Sequence, residues 1–192
     1  MDFFIVIDHP WEKSFNYAVL EAFRDGLDSI NHTVDIIDLN RDEFNPVFSE
    51  DELARYGEGV VLDPKVEDYQ ARIVNTDYLV LIFPIWWNVM PARMKGWLDK
   101  VFTPGFAFTT GQVPEPMLGH IQGATVLTTT GVPDKQHRED YHNALHWVLC
   151  KGVLAFCGIK PVTWLNFGET GFAPRAEHAA WLEEVRVYAS RF

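Results

Sequence analysis

Three short segments of the sequence carry residue types that could bind a ligand. They are D-H-P-W-E-K-S-F-N at 8–16, P-I-W-W-N at 84–88 and T-T-T-G at 128–131. In the first segment, Ser14 would cap a helix, and its hydroxyl and the free N–H groups of the first turn can hold phosphate oxygens. Asn16 adds an amide, and His9 and Lys13 add positive character nearby. Taken alone, this segment is better explained as an ordinary capped helix with a solvated lysine, so a phosphate-binding helix start is predicted only in combination with the other two segments.

The other two segments favour a planar ring. Pro84 lacks an N–H and fixes φ, so the residues after it leave the sheet as a loop with outward-pointing amides. Such amides can bond the polar edge of a heterocycle while Trp86 or Trp87 covers one face. Gly131 permits a turn that approaches a ligand closely. The chain has no G-x-G-x-x-G motif and no P-loop. A planar, phosphate-bearing cofactor explains the three segments together.

The elements that must position these segments alternate between strands and helices. Apolar runs predict strands at 3–7, 34–39, 78–83, 124–130 and 162–167. Helical patterns cover 14–30, 66–75, a stretch from 91, 141–156 and 174–191, and long loops are expected at 40–65, with one helical turn, and at 103–123. The helix at 141–156 is expected to face inward through Leu145, Val148, Leu149, Gly152, Val153 and Phe156. This pattern predicts a flavodoxin-like doubly wound, five-stranded parallel sheet, order 2-1-3-4-5, with helices on both faces.

Composition narrows the function. At 192 residues and 47% hydrophobic content, residues 1–192 are expected to form a single domain. The net charge of -11 argues against binding nucleic acid. The N-terminus resembles neither a secretory signal nor a membrane span, so a cytoplasmic protein is expected. Cys150 and Cys157 would lie about 10 Å apart on a helix, too far for a disulfide, and are expected to be core thiols.

Longer motifs carry a family resemblance. They are H-P-W-E-K-S-F-N-Y-A at 9–18, F-P-I-W-W-N-V-M-P-A-R-M-K-G-W-L-D-K-V-F-T-P-G-F-A-F at 83–108, T-T-T-G at 128–131 and F-C-G at 156–158. The chain resembles the flavodoxin-like NAD(P)H:quinone oxidoreductases, which include DT-diaphorase, the modulator-of-drug-activity proteins and ancillary subunits of potassium efflux systems. The resemblance implies bound FAD, with FMN as the alternative, reduced by NADPH or NADH and reoxidised by a quinone. It also implies a homodimer with the site at the subunit interface.

Matching positions assign residues to this site. The resemblance places phosphate and ribityl contacts at His9, Ser14, Phe15 and Asn16, the ring at Pro84, Ile85, Trp86, Trp87 and Asn88, and its polar edge at Thr129, Thr130 and Gly131. It places Phe106 and Phe108 in the substrate pocket and makes Tyr141 and His142 the candidates for stabilising the reduced ring. Trp87 is expected to touch the ring, and Trp86 to act mainly through its backbone. The chain departs from the family at Val132, where a second glycine is common.

Other functions stay open at this point. The acidic chain could be a flavodoxin-type electron carrier that docks to a basic partner, or a regulatory subunit associated peripherally with a potassium transporter. Membrane insertion is not expected. The spacing of His142 and His146 would suit a metal, but no third ligand is evident, so the helix surface is favoured and no metal is predicted. Hydride transfer through a flavin needs no general base from the protein.

Overall fold

A parallel sheet forms the centre of the molecule. The computed structural model describes residues 1–28 and 32–192. The strands are β1 (Asp2–Ile7), β2 (Thr33–Asp38), β3 (Tyr78–Pro84), β4 (Ala124–Thr129) and β5 (Val162–Phe167). All neighbouring strands are parallel, and their order is β2-β1-β3-β4-β5. The predicted fold class and strand order are confirmed.

Helices cover both faces of the sheet. They are α1 (Phe15–Asp28), α2 (Glu50–Arg55), α3 (Pro64–Ile73), α4 (Ala92–Val101), α5 (Asp134–Arg138), a π-helix (His146–Ala155) and α6 (Arg175–Ala189). Alternate residues of β1 point to opposite faces: Phe3 and Ile5 pack with α1 and α6, and Phe4 and Val6 pack with α3, α4 and the π-helix. The predicted first helix extended to Ile30, which lies outside the described residues.

The 40–65 segment contains more structure than the predicted loop with one helical turn. Ser49 and Glu52 form a capping box, with each side chain bonded to the other residue's backbone, and α2 follows. A short 3₁₀ turn, Tyr56–Glu58, continues it. The Ser-x-x-Glu pattern is a known helix-start signal, so this helix was readable from the sequence. The segment packs on α4, where Lys100 Nζ lies 2.9 Å from carboxylate oxygens of both Glu52 and Asp63.

The prediction of one regular helix at 141–156 is wrong. The chain forms α5 first, then turns in which His142 and Asn143 have φ values of 50° and 59°, and only then the π-helix. Val148 and Phe156, which were expected to face inward, are 57% and 44% exposed. A π-helix hydrogen-bonds five residues apart, so its side chains do not follow the 3.6-residue period used in the prediction.

Three features narrow the kinds of site that the fold can carry. Cys150 and Cys157 are free and buried, and burial raises the pKa of each thiol to about 11, so both are protonated core thiols as predicted. Within residues 1–28 and 32–192, no group of three or more His, Cys, Asp or Glu side chains is arranged to hold a metal. None of the helices in these ranges has the length and apolar character needed to cross a bilayer.

Gly96 allows the 40–65 segment to approach α4 closely. A Cβ at position 96 would lie 2.3 Å from both the Cβ and the carbonyl oxygen of Pro46. We expect Gly96→Ala to lower the free energy of unfolding by about 2 to 3 kcal/mol in urea denaturation, because the backbone must shift to admit the methyl group. Gly57→Ala is the control, since a Cβ at position 57 meets nothing within 4 Å. Equal losses in the two variants would contradict the close approach.

Candidate cofactor-binding site

The candidate site lies where the strand order reverses. β1 pairs with β2 on one side and with β3 on the other, and crevices form at the carboxyl ends of such strands. A pocket of about 270 Å³ opens there. It is lined by Asp8 and Pro10 after β1, Asn40 and Pro46 after β2, and Trp86 and residues 91–93 after β3. We call this pocket the β1–β3 crevice.

Direct contacts join the three segments that the sequence singled out. The rings of His9 and Trp86 lie 6.0 Å apart between centroids, which links the loops after β1 and β3. The Ile85 N–H donates to the Thr129 carbonyl at 2.7 Å, which links the ends of β3 and β4. The Asn16 side-chain amide bonds the Thr129 hydroxyl at 3.1 Å, which links α1 to β4. The structure therefore brings the predicted segments together.

The Ser14 hydroxyl does not cap α1 as predicted. Ser14 is 8% exposed, and its Oγ finds no hydrogen-bond partner in the described part of the chain. A buried hydroxyl without a partner is unfavourable, by about 1 to 3 kcal/mol, unless something else satisfies it. The first N–H groups of α1, from Phe15 and Asn16, have no preceding helical carbonyl to bond. An anionic oxygen at this helix start would accept hydrogen bonds from the Ser14 hydroxyl and from these N–H groups. The residues present therefore fit a phosphate.

His9 supplies a neutral donor on the same loop. The Trp11 N–H donates to His9 Nδ1 at 3.0 Å, which leaves the proton on Nε2. The Trp11 carbonyl also lies 3.2 Å from Nδ1, but a nitrogen that accepts from the amide has no proton to give it. Burial lowers the pKa of His9, with the Trp11 backbone opposing. The His9 Nε2–H is thus available to a ligand oxygen near neutral pH.

The loop after β3 is a strained turn. Trp86 and Val89 exchange backbone hydrogen bonds of 2.9 and 3.1 Å, and Trp87 and Asn88 between them have φ values of 52° and 64°. Such type I′ turns favour Asn-Gly, and a bulky residue in the left-handed region costs about 1 to 2 kcal/mol. The amides of Trp87 and Asn88 donate to no acceptor within residues 1–28 and 32–192. Backbone strain of this kind is typical of a ligand site, and here it leaves the two N–H groups without a partner among the described residues.

The two tryptophans of this turn differ in position. Trp86 is 46% exposed and lines the β1–β3 crevice, whereas Trp87 is 97% exposed. The side chain of Trp86 therefore contributes to the crevice wall as well as its backbone. The contact of Trp87 with a ring stays a prediction.

The turn after β4 uses its hydroxyls internally. Thr129 bonds Asn16, and the Thr130 hydroxyl lies 3.1 Å from His137 Nε2. Gly131 is exposed, and its amide bonds no described residue. The group that this turn offers to a ligand is therefore a backbone amide. His137 is a candidate that the sequence prediction missed, because a five-residue helix shows no periodic pattern.

The remaining predicted residues, Tyr141, His142, Phe106 and Phe108, are not among the residues that line the β1–β3 crevice. The Tyr141 hydroxyl accepts from Gln136 at 2.9 Å, and the Tyr141 ring lies 5.5 Å from that of His137. His142 is exposed. Phe108 lines a separate apolar groove of about 200 Å³ between α4 and the π-helix, and Phe106 packs at the edge of the core. The proposed roles of these residues stay predictions.

Comparisons with known proteins agree with this architecture. Residues 1–191 match a family model described as the flavodoxin-like fold. An uncharacterized NAD(P)H oxidoreductase of Haemophilus influenzae is 28% identical over 171 residues, which cover 88% of this chain and 84% of that protein. NAD(P)H dehydrogenase (quinone) 1 of Cavia porcellus is 28% identical over 180 residues, which cover 81% of this chain but only 64% of that protein.

A solved structure is similar over the full length. The NAD(P)H:quinone oxidoreductase from Methanothermobacter marburgensis superposes with a TM-score of 0.90 at 30% identity, covering 100% of this chain and 96% of that chain. The family match over residues 1–191 and the observed strand order indicate the same fold. The chain belongs to the family with the flavodoxin-like fold.

Proposed function

We propose that the protein is a flavin-dependent NAD(P)H:quinone oxidoreductase that passes hydride from NAD(P)H to flavin and then to a quinone. The observation that carries this proposal is the buried, unpartnered Ser14 hydroxyl at the start of α1, on the loop that also lines the β1–β3 crevice. The similar proteins of Cavia porcellus and Methanothermobacter marburgensis are named as a quinone dehydrogenase and a quinone oxidoreductase, which supports the assignment.

The residues of the chain would hold and orient the cofactor. The Ser14 hydroxyl, the first amides of α1 and the His9 Nε2–H would bind phosphate oxygens. The amides of Trp87, Asn88 and Gly131 would bond the polar edge of the ring. When bound, the flavin supplies the hydride chemistry itself, so the protein needs only to stack the substrates and stabilise charge.

Aromatic walls would keep water from the transfer. Trp86 lines the crevice, and Trp87 lies on the same turn with its ring free to cover a ligand. A site that excludes water favours transfer of both electrons together as hydride. This role follows from the aromatic surface that the strained turn exposes.

We propose FAD as the flavin, with FMN as the alternative. An adenosine end needs additional surface, and the loop after β5 offers an exposed ring in Phe172, which is 84% exposed. That loop contacts the site, because the Thr170 N–H donates to the Thr130 carbonyl at 3.1 Å. The length of the 40–65 segment would also suit an adenosine end, but this segment packs on α4, and of its residues Asn40 and Pro46 line the crevice.

We also propose that residues 1–192 act as a single domain within a homodimer. The apolar groove lined by Phe108 exposes Val148 and Phe156, and a second copy would cover this surface. In such a dimer the flavin site would lie at the subunit interface, and Phe106 and Phe108 would lie close to it. Sedimentation of the flavin-loaded protein tests this arrangement.

One set of assays tests the proposed activity. The visible spectrum of the purified protein, the identity of the flavin released on denaturation, and the oxidation of NADH and NADPH with a small quinone are measured together. We expect bound flavin and rapid quinone-dependent oxidation. A colourless protein that takes up neither FAD nor FMN would contradict the proposal.

The electron-carrier alternative has one supporting observation, the net charge of -11, which suits a basic partner. The same assays separate the two functions. A flavin-loaded protein that oxidises NAD(P)H slowly with every quinone tested would favour the carrier.

A further inference from the structure

His137 is a buried histidine that the proposed cofactor contacts do not use. It is 3% exposed, and its Nε2 lies 3.1 Å from the Thr130 hydroxyl. Thr130 immediately precedes Gly131, whose amide is proposed to bond the polar edge of the ring. A buried imidazole bonded to this turn is therefore in a position to control how the turn meets its ligand.

The helix that carries His137 is fixed to the sheet. Asp134 accepts from the Asn166 side chain of β5 at 2.8 Å and from the Arg138 guanidinium at 3.1 Å. Arg138 in turn lies 4.1 Å from the centre of the Trp164 ring on the same strand. A Cβ at Gly168 would lie 2.6 Å from the Asp134 amide, so β5 and α5 are also in close backbone contact. His137 therefore stands on a rigid support.

The backbone of Thr130 is also fully engaged. Its N–H donates to the Phe167 carbonyl at 2.9 Å, and its carbonyl accepts from the Thr170 N–H at 3.1 Å. The hydroxyl is the remaining polar group of the residue, and His137 is its partner. The His137 contact completes the set of bonds that orients the peptide leading into Gly131.

We propose that His137 is a positioning residue for the flavin site, whose imidazole holds the Thr130 hydroxyl and thereby fixes the turn that presents the Gly131 amide to the ring. This inference rests on the proposed flavin-dependent function. This positioning role is distinct from the stabilisation of the reduced ring that is expected of Tyr141 and His142. A neutral imidazole suffices, because either tautomer can share one hydrogen bond with a hydroxyl.

The neutral state makes the contact sensitive to pH. The charged groups facing His137 are Asp134 and Arg138 of α5, and the Tyr141 ring packs against it. Burial lowers the pKa of His137, Asp134 raises it, and Arg138 lowers it. The folded state therefore binds this proton less readily than the unfolded state, so stability should fall as pH drops below about 6.5, and flavin affinity should fall at the lower pH where His137 of the folded protein is protonated.

Flavin binding to the full-length protein tests the proposal. Dissociation constants for FAD and FMN are measured by fluorescence titration in His137→Phe, Thr130→Val, the double variant and His137→Gln. We expect each of the first three to weaken binding about tenfold, because all lose the same hydrogen bond. His137→Gln, which keeps a neutral partner for the hydroxyl, should bind within about threefold of wild type and lose part of the pH dependence. His120→Gln, an exposed histidine elsewhere, is the control.

The outcomes separate this inference from the proposed function. Unchanged affinity in His137→Phe, or additive weakening of about a hundredfold in the double variant, would overturn the positioning role. A wild-type protein that binds neither flavin would overturn both proposals. If His137→Phe does not fold, two other variants test the proposal. Thr130→Val must weaken flavin binding, and His137→Gln must retain it.

Discussion

Ser14→Asp is expected to weaken flavin binding at least about a hundredfold, a loss of about 2.7 kcal/mol. The new carboxylate would occupy the buried position where the Ser14 hydroxyl now lacks a partner, and it would repel a phosphate there. The free energy of unfolding should change less than the binding free energy, because the negative charge of aspartate suits the start of a helix and offsets part of the cost of burying it. The variant thus separates ligand binding from stability. Fluorescence titration with FAD and FMN measures the first, and urea denaturation the second.

Two further variants control this prediction. Ser14→Ala removes the hydroxyl without adding charge and should cost about tenfold in affinity, the value of a single hydrogen bond to a charged group. Ser49→Asp introduces the same change at the N-cap of α2, at a residue that does not line the β1–β3 crevice, and should leave flavin binding unchanged. Tight binding by Ser14→Asp would show that the phosphate lies elsewhere.

Lys100→Met is expected to lower the free energy of unfolding by about 3 to 5 kcal/mol. The Lys100 side chain is 2% exposed, and its Nζ lies 2.9 Å from both Glu52 and Asp63. Burial alone would lower the pKa of Lys100, but the two carboxylates together raise it. The lysine is therefore charged in the fold, and its removal leaves two partly buried carboxylates without their counter-ion. Urea denaturation at neutral pH measures the loss.

Lys95→Met is the matched control, since Lys95 lies on the same helix. Its side chain is 56% exposed and pairs with Asp99 one turn away. Exposed pairs of this kind contribute about 0.3 to 0.5 kcal/mol. If Lys100→Met proved no less stable than Lys95→Met, the 40–65 segment would not depend on the buried ion pairs.

The sheet was largely readable from the sequence. Its strands are covered on both faces, so β1 and β3 appear as nearly continuous apolar runs that no surface helix would show. The strand order followed from strict alternation with helices, and it placed the three ligand-type segments at one end of the sheet. Pro84 and the tryptophans after it could be assigned to the crevice for that reason.

The parts that were missed depend on tertiary contacts. Asn16 is 1% exposed and bonds Thr129, which is 113 residues away in the chain, and this contact was not predicted. No local pattern reports such a contact. The same holds for the Thr130–His137 pair, because α5 is too short to show a period. The π-helix was missed because its side chains follow a different spacing, which turned Val148 and Phe156 outward.

The most direct test of the account follows the flavin itself through both half-reactions. Protein loaded with FAD or FMN is titrated without oxygen, first with NADH or NADPH and then with a small quinone, while the visible absorbance of the flavin is recorded. We expect that one equivalent of nicotinamide cofactor bleaches the flavin and that one equivalent of quinone restores it. A flavin that neither cofactor bleaches, or a protein that holds no flavin to titrate, would contradict it.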